Sequence, residues 1–424
     1  MKIHIDLDCF FVSAERTVDA SLMGKPVGVG GRADQNIFSR TNTKQTMSLQ
    51  NHGAFVMSFF QEHQSSGHND IKKFIDPDGR IRGILTTSSY EARAFDIKTG
   101  TTINEALKKC PNIIIKQPNM KLYQKLSHEL NDYLVKKIPS LEQASIDEFY
   151  GDLEGWIEDK NVPRFIEQLR DDILKDLNLP VSIGAAQSKY TAKLATNFAK
   201  PFGVKTVYFR DVDTFIHNIK IEKFPGIGAK TYKKLSSYGL RTLGDIQASP
   251  ALFQNQTKSV WDLYLKVCGI DTTPIKIEHI RKSIGISRTF DSIIDRRELK
   301  RRLIILSRHL AYAVLKMEVI PMHFTLSLSY TQGLSAKATF SGNRLFSEKL
   351  MKDIATKLLY EADKYPHTKV IRISISTSQF TVQTHQTLSL IDFEEDTKYH
   401  QLSTLSKSLR LKYGLDILRW GSEL

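Results

Sequence analysis

Ser145-Ile146-Asp147-Glu148, set beside the N-terminal run Lys2-Ile3-His4-Ile5-Asp6-Leu7-Asp8, decides how this chain is read. Adjacent carboxylates inside an otherwise apolar strand are costly to place unless a cation compensates them. In the N-terminal run, strict alternation puts the carboxylates on the face opposite Ile3, Ile5 and Leu7. Two acidic strands invite a shared metal. Hard oxygen ligands suit Mg²⁺, which keeps positions open for water and substrate phosphates, and two such ions about 4 Å apart are the usual apparatus of phosphoryl transfer. The geometry carries a demand: in an ideal strand Asp147 and Glu148 point to opposite faces, so both reach one site only if the strand twists or turns there. Taken alone, an Asp-Glu pair is more simply read as solvated or paired with Lys and Arg.

The 424 residues, 41% hydrophobic and 25% charged, suffice for a globular core and suggest two to four domains. A net charge of +14 favours an anionic partner, and nucleic acid over a membrane surface, because no basic amphipathic anchor stands out. Cys9, Cys110 and Cys268 lack CxxC spacing and are odd in number, which argues against a disulfide framework or a zinc site and fits a reducing cytoplasm. No apolar run reaches the roughly 18 residues of a membrane span, and the N-terminus enters the acidic strand at once, so a soluble cytoplasmic protein without a signal peptide is expected.

Strand patterns at 2–8, 84–89, 143–150, 181–186 and 204–209 alternate with helical ones at 10–20, 102–109, 121–137, 163–177 and 188–198, an α+β mixture. After a basic segment from about 281 come Phe324-Thr325-Leu326-Ser327-Leu328-Ser329-Tyr330 and Val370-Ile371-Arg372-Ile373-Ser374-Ile375-Ser376, which predict a separate sheet with one polar face. Residues 281–302 hold eight basic side chains, among them Arg288, Arg297 and Arg301, against three acids.

The run Asp6-Leu7-Asp8-Cys9-Phe10-Phe11 resembles the first motif of the Y-family translesion DNA polymerases, and Ser145-Ile146-Asp147-Glu148 resembles their second. Thr87-Ser88-Ser89-Tyr90-Glu91-Ala92-Arg93, the stretch Gly184 to Gly203 and Pro225-Gly226-Ile227-Gly228 follow in the order that family uses, nearest to its bacterial polymerase IV and polymerase V members. The resemblance implies a right-hand α+β polymerase: a ferredoxin-like palm from 1–9 and 119–207, small fingers at 10–118, a helical helix-hairpin-helix thumb at 208–275, a β-sheet little finger at 281–384 and a C-terminal tail at 385–424. Residues about 32–82 exceed what short members need, and Ala54 to Phe60 is apolar enough to pack, either as surface decoration or as a fingers extension beside the nascent base pair.

The resemblance also implies the chemistry. Asp6, Asp147 and Glu148 become the catalytic carboxylates and, with Leu7, the holders of two Mg²⁺ ions; Asp8 does not match that triad. Cys9, Phe10, Phe11, Thr87, Tyr90, Arg93 and Lys200 take dNTP-binding positions, with Arg93 a planar donor fork and Lys200 a point charge for phosphates. Phe11 corresponds to a steric gate that excludes a ribose 2′-hydroxyl; an ordinary core aromatic is its plainer reading. Gly226, Gly228 and Lys230 fit a hairpin against a DNA phosphate, contact of a sequence-independent kind. Arg288, Arg297 and Arg301 would grip duplex phosphates. Gln386-Thr387-Leu388-Ser389-Leu390-Ile391 resembles a sliding-clamp peptide through Gln386, Leu388 and Leu390, with Ile391 where an aromatic is common; a last sheet strand is equally open. Primer-template DNA, dNTP, the clamp and SOS accessory subunits are the implied partners. Two other readings remain: a two-metal nuclease, which has no need of Phe11, Tyr90, Arg93 and Lys200, and a non-catalytic DNA-binding repair protein, which has no need of the carboxylates. With no proofreading segment in view, the implied activity is error-prone translesion synthesis.

Overall fold

The alternation of Lys2–Leu7 produces the strand it predicts, β1, with every residue but Lys2 buried. The computed structural model describes residues 1–31, 36–38, 69–76, 79–278, 280–381 and 391–423. Two units divide them: the first holds 1–30, 69–76 and 79–278, the second 31, 36–38, 280–381 and 391–423.

In the first unit β1 is the centre of a five-stranded sheet ordered β5-β6-β1-β7-β8, where β5 is Ser140–Gln143, β6 Glu148–Asp152, β7 Val181–Ala186 and β8 Val204–Val207. β1 runs antiparallel to both neighbours, and β7 pairs parallel with β8. The predicted single strand over 143–150 is two strands joined by a turn, in which the N–H groups of Ala144 and Ser145 donate to the Glu148 carbonyl. Two carboxylates in succession cannot both serve one face of a continuous strand, and the turn removes the conflict.

Helices α4 (Met120–Val135) and α5 (Val162–Leu177) and, against β1, β7 and β8, α6 (Lys189–Ala199) cover the sheet. The approach of α6 depends on Gly184: a Cβ there would lie 2.2 Å from the Ala192 carbonyl oxygen and 2.4 Å from the Thr196 nitrogen. Any larger residue would push α6, and the lysines it carries, off the sheet. Before the palm-like sheet's second strand comes α1 (Phe10–Val18), then a three-stranded sheet ordered β3-β2-β4, from Val27–Gly31, Ile84–Ser88 and Ile114–Lys116 for β2, β3 and β4. The short α2 (Tyr90–Arg93), capped by the Ser89 side chain, and α3 (Ile103–Lys109), capped by Thr102, complete that subdomain. Helices α7 (Val212–Ile216), α8 (Ala229–Ser237), α9 (Leu243–Gln247), α10 (Ala251–Gln254) and α11 (Lys258–Val267) build a helical subdomain around Ile221, Leu235, Leu240 and Leu243.

In the second unit β9 (Ser283–Ile293), β10 (Ile320–Tyr330), β11 (Ser335–Ser341) and β12 (Val370–Thr381) form an antiparallel sheet ordered β11-β10-β12-β9. One face is apolar, as the alternation required, and packs on α12 (Arg296–Met317) and α13 (Glu348–Ala362). Two features were not foreseen. The expected tail contains a 21-residue helix, α14 (Phe393–Tyr413), fastened to α13 through Arg410 and Glu348 and through the Ser403 hydroxyl, which accepts from the Glu348 N–H at 3.0 Å. And Ile37 and Phe38, from the segment expected on the fingers, are core residues of this unit: Phe38 packs edge-on to Phe290, and Arg302 lies over both rings at 4.7 and 4.8 Å. The apolar stretch Ala54 to Phe60 and the peptide Gln386, Leu388 and Leu390 lie outside the described residues.

Candidate active site

The β1–β6 register sets Asp6 directly across from Glu148, and such cross-strand neighbours share a face. Asp147 arrives from the turn, where the Leu7 N–H donates to its carbonyl at 3.0 Å and the Ser145 hydroxyl donates to its carboxylate. The strand therefore turns as the carboxylate pair demanded. Burial pushes the Asp6 carboxyl up to about 7, against the downward pull of Lys200, while the charges of Asp147 and Glu148 add to the rise. Asp147 is raised as well, chiefly by burial. Two lysines of the α6 region meet this negative charge: Lys200 pairs with Asp6, and Lys193 donates to both Glu148 oxygens at 2.8 and 2.7 Å.

That donor set fits hard divalent cations. Three carboxylates from two adjacent strands and the turn before one of them, two of the three held above the usual carboxylate range, and lysine ammonium groups standing on Asp6 and Glu148 mark a place that needs positive charge.

Asp8 has a different task. It is 2% exposed, accepts from the Tyr90 hydroxyl at 2.9 Å, the Ser182 hydroxyl at 2.9 Å and the Phe202 N–H at 2.7 Å, and so ties the end of β1 to α2, β7 and the loop after Lys200. Tyr90 and Lys200 are brought together with Asp6 by this joint, which the sequence reading assigned no role. Arg93, exposed, lies over the Tyr90 ring at 4.9 Å with its Nε on the Ser88 carbonyl at 3.2 Å; Thr87 is half-buried on β3. Cys9 takes a left-handed conformation at the start of α1, with φ 46°, and burial raises its thiol to about 11, so it is no nucleophile. The first-turn amides of α1, at Phe10 and Phe11, have no partner within the helix by its geometry. Phe10 is buried, whereas Phe11 is half-buried and stacks on Tyr123, centroids 4.3 Å apart and planes at 12°, with the Tyr123 hydroxyl donating to Glu15 at 2.7 Å. The Phe11 ring is thus braced by Tyr123 without being fully buried.

At the hairpin, Gly226 has φ 97°, and a Cβ at Gly226 or Gly228 would meet nothing within 4 Å, so the backbone there is open; Lys230 is exposed on α8. In the second unit Arg297 is exposed and Arg288 is half-buried, its guanidinium donating to the Ser287 carbonyl at 2.9 Å. Arg301 is committed elsewhere: it binds both Glu298 oxygens and the Phe38 and Glu423 carbonyls. Three site residues escaped the sequence reading, His4, Asp8 and Lys193. The signal for the first was present, since His4 shares a strand face with Asp6; Lys193 lies seven residues before Lys200, about two helical turns.

Comparison with known proteins gives this constellation its class. Residues 5–197 match the model of the impB/mucB/samB family, 281–390 that family's C-terminal domain, and 210–240 the IMS family HHH motif. DNA polymerase IV of Alkaliphilus oremlandii (strain OhILAs) is 29% identical over 434 residues, covering 97% of this chain and 96% of that one. DNA polymerase IV of Glaesserella parasuis serovar 5 (strain SH0165) is 31% identical over 300 residues, 69% of this chain and 70% of the relative. Among solved structures, a Y-family DNA polymerase chimera, Dbh-Dpo4(243-245)-Dbh, superposes with a TM-score of 0.70 at 22% identity, over 90% of this chain and 99% of that one. The chain belongs to the impB/mucB/samB family, the Y-family translesion DNA polymerases. It is a metal-dependent, DNA-directed DNA polymerase that binds DNA and dNTP, with a right-hand fold; neither the nuclease nor the non-catalytic reading is favoured. No helix among the described residues is long and apolar enough to cross a membrane.

Proposed function

We propose that Asp6, Asp147, Glu148 and Leu7 hold two Mg²⁺ ions for the attack of a primer 3′-hydroxyl on the α-phosphorus of a dNTP. When bound, the ions lower the barrier by activating the hydroxyl and neutralising the triphosphate. Lys200, standing on Asp6 in the free protein, is placed to transfer its ammonium to the triphosphate once the carboxylate is otherwise neutralised. Arg93, Thr87, Tyr90 and the amides at Cys9, Phe10 and Phe11 complete the phosphate cradle. Phe11, braced by Tyr123, stands under the sugar and excludes a 2′-hydroxyl.

The palm takes 1–9 and 119–207, the fingers 10–118 apart from Ile37 and Phe38, which pack in the core of the second unit, the thumb 208–275 and the little finger 281–384. Gly226, Gly228 and Lys230 meet a DNA phosphate through open backbone, and Arg288 and Arg297 add charge; Arg301 serves the little finger's own packing and is withdrawn from that set. Gln386, Leu388 and Leu390 are assigned to a sliding clamp, SOS accessory subunits to regulation and the cytoplasm as the location. Synthesis is error-prone and unproofread. One observation carries the catalytic reading: Asp6 across from Glu148, with Asp147 delivered by the adjoining turn. Primer extension with Mg²⁺ by the purified chain tests it; normal extension by Asp147→Ala would falsify it.

A further inference from the structure

One nitrogen in the palm has no use in this mechanism. His4 is fully buried two residues before Asp6 on β1, and a ring nitrogen of His4, a carboxylate oxygen of Asp6 and one of Glu148 all lie within 4.8 Å of one another. Its Nδ1 is engaged with the Thr196 hydroxyl at 2.9 Å; its Nε2 is buried without a partner. The Thr196 hydroxyl has carbonyl acceptors at Ala192, 3.0 Å, and at His4 itself, 3.1 Å. Having its one proton to give there, it accepts from Nδ1–H. Nε2 then carries the lone pair, and it is buried with no hydrogen-bond partner. With Nδ1 taken by Thr196, Nε2 is the ring nitrogen left for an ion, and the cations now on the neighbouring carboxylates are the exchangeable ammonium groups of Lys200 and Lys193. An imidazole whose other nitrogen donates to an oxygen is the way metal-binding histidines are held.

We propose that His4 Nε2, Asp6 and Glu148 form a mixed imidazole–carboxylate site for a first-row divalent ion of the zinc or cobalt class, and that filling it withdraws both carboxylates from the Mg²⁺-dependent reaction. The inhibitory half rests on the reading of Asp6 and Glu148 as catalytic; the binding half does not. Imidazole nitrogen draws zinc, cobalt and copper, whereas carboxylate and water suit magnesium, so one nitrogen added to two oxygens shifts selectivity toward the former. Donors within 4.8 Å must close by up to about 1.4 Å to share a tetrahedral ion at roughly 2.0–2.2 Å from each. Asp6 and Glu148 can make that move by side-chain rotation, because what holds them is Lys200 and Lys193, which an ion displaces.

Titrating the full chain with Co²⁺ alone, free of DNA and nucleotide, should give one site with visible d–d bands. His4→Gln and Asp6→Asn should each weaken it by about tenfold or more. Equal Co²⁺ affinity in wild type and His4→Gln overturns the proposal. In case that variant does not fold, anomalous scattering from cobalt-loaded wild-type crystals decides: a peak about 2.1 Å from His4 Nε2 is expected, and an ion at this site ringed by oxygens alone refutes it. With primer extension normalised to each enzyme's own uninhibited rate in Mg²⁺, Zn²⁺ should inhibit wild type about tenfold more strongly than His4→Gln, and equal inhibition sinks the inhibitory half. Should Asp147→Ala extend primers normally, the catalytic reading fails while the cobalt titration still decides the site.

Discussion

The two units hold their carboxylates in opposite ways. In the first, Asp6 and Glu148 are each met by one lysine, and burial keeps the Asp6 carboxyl near 7. In the second, Glu298, Glu423 and Asp416 are met by arginine forks. Arg308, 2% exposed, places Nε on both Glu423 oxygens at 2.9 and 3.0 Å, Nη1 on the Leu415 carbonyl and Nη2 on Asp416. Glu298, between Arg301 and Arg302, is pulled down to about 2, its hydrogen bonds with Arg301 outweighing burial. A lysine is a point charge on a flexible stem, whereas a planar fork fixes both distance and direction. One arrangement is charge kept ready for exchange; the other is charge used to lock the C-terminal segment onto α12.

If that contrast is right, neutralising the two clusters has different consequences. Asp147→Ala or Asp6→Asn should cut nucleotide addition by about 10²–10³-fold or more, the order lost when a group facing developing charge is removed from a preorganised site. Duplex binding should stay within a few-fold, because the hairpin and Arg297 lie elsewhere; filter binding beside single-turnover extension separates the two. Arg308→Met should do the reverse. It leaves the buried Glu423 and half-buried Asp416 without their fork and should cost about 3–5 kcal/mol, seen as an earlier unfolding transition of the second unit, with the nucleotide-addition step on saturated primer little changed. A catalytic defect as large as that of Asp147→Ala in a folded Arg308→Met protein would end the contrast.

Within the first unit the contrast can be sharpened at Phe11. Phe11→Ala should lower discrimination against ribonucleotides by about tenfold to 200-fold, the range a shape-excluding pocket commands, while dNTP addition persists. Its half-exposed ring, stacked on Tyr123, has no buried ion to lose. Unchanged discrimination with lowered stability would make Phe11 a packing residue.

What the sequence made legible follows from how local each signal is. Asp6, Asp147, Glu148 and Phe11 lie in contiguous motifs, and the alternation of β10 and β12 announces the second sheet without help from distant residues. The turn at 144–147 was visible only as a geometric demand, because nothing in Ala144-Ser145-Ile146 is a strong turn signal. Asp8 resisted reading for another reason: its partners Tyr90, Ser182 and Phe202 come from three separate stretches. Lys193 and His4 looked like an ordinary helix lysine and an ordinary strand histidine; their roles appear only once Gly184 lets α6 settle on β7. Helix α14 was concealed by its own surface: Leu402, Leu405 and Leu409 share one face yet stay exposed, and Leu411 lies on the opposite side, so no buried stripe marks the helix.

The smallest effect concerns stability, and its sign separates the clusters most directly. The folded Asp6 carboxyl, near 7, lies above the ordinary value of 3.8. Its protonated form is therefore favoured by folding, and that contribution is complete below about 3.8 and lost as pH rises through about 7. Glu298 has the opposite sign: its contribution is complete above 4.5 and lost as pH falls through about 2. In chelator, raising the pH from 5 to 8 should lower the unfolding temperature of the first unit, and Asp6→Asn, which stays neutral throughout, should flatten that dependence. At pH 8 the variant should melt about 2–4 °C above wild type, the shift expected for on the order of 1 kcal/mol in a unit of this size. Magnesium should narrow the gap by stabilising wild type alone. An Asp6→Asn protein that melts below wild type at pH 8 without metal would mean that the Lys200 pair outweighs the burial of Asp6, and the carboxylate cluster would then be as firmly locked as the arginine one.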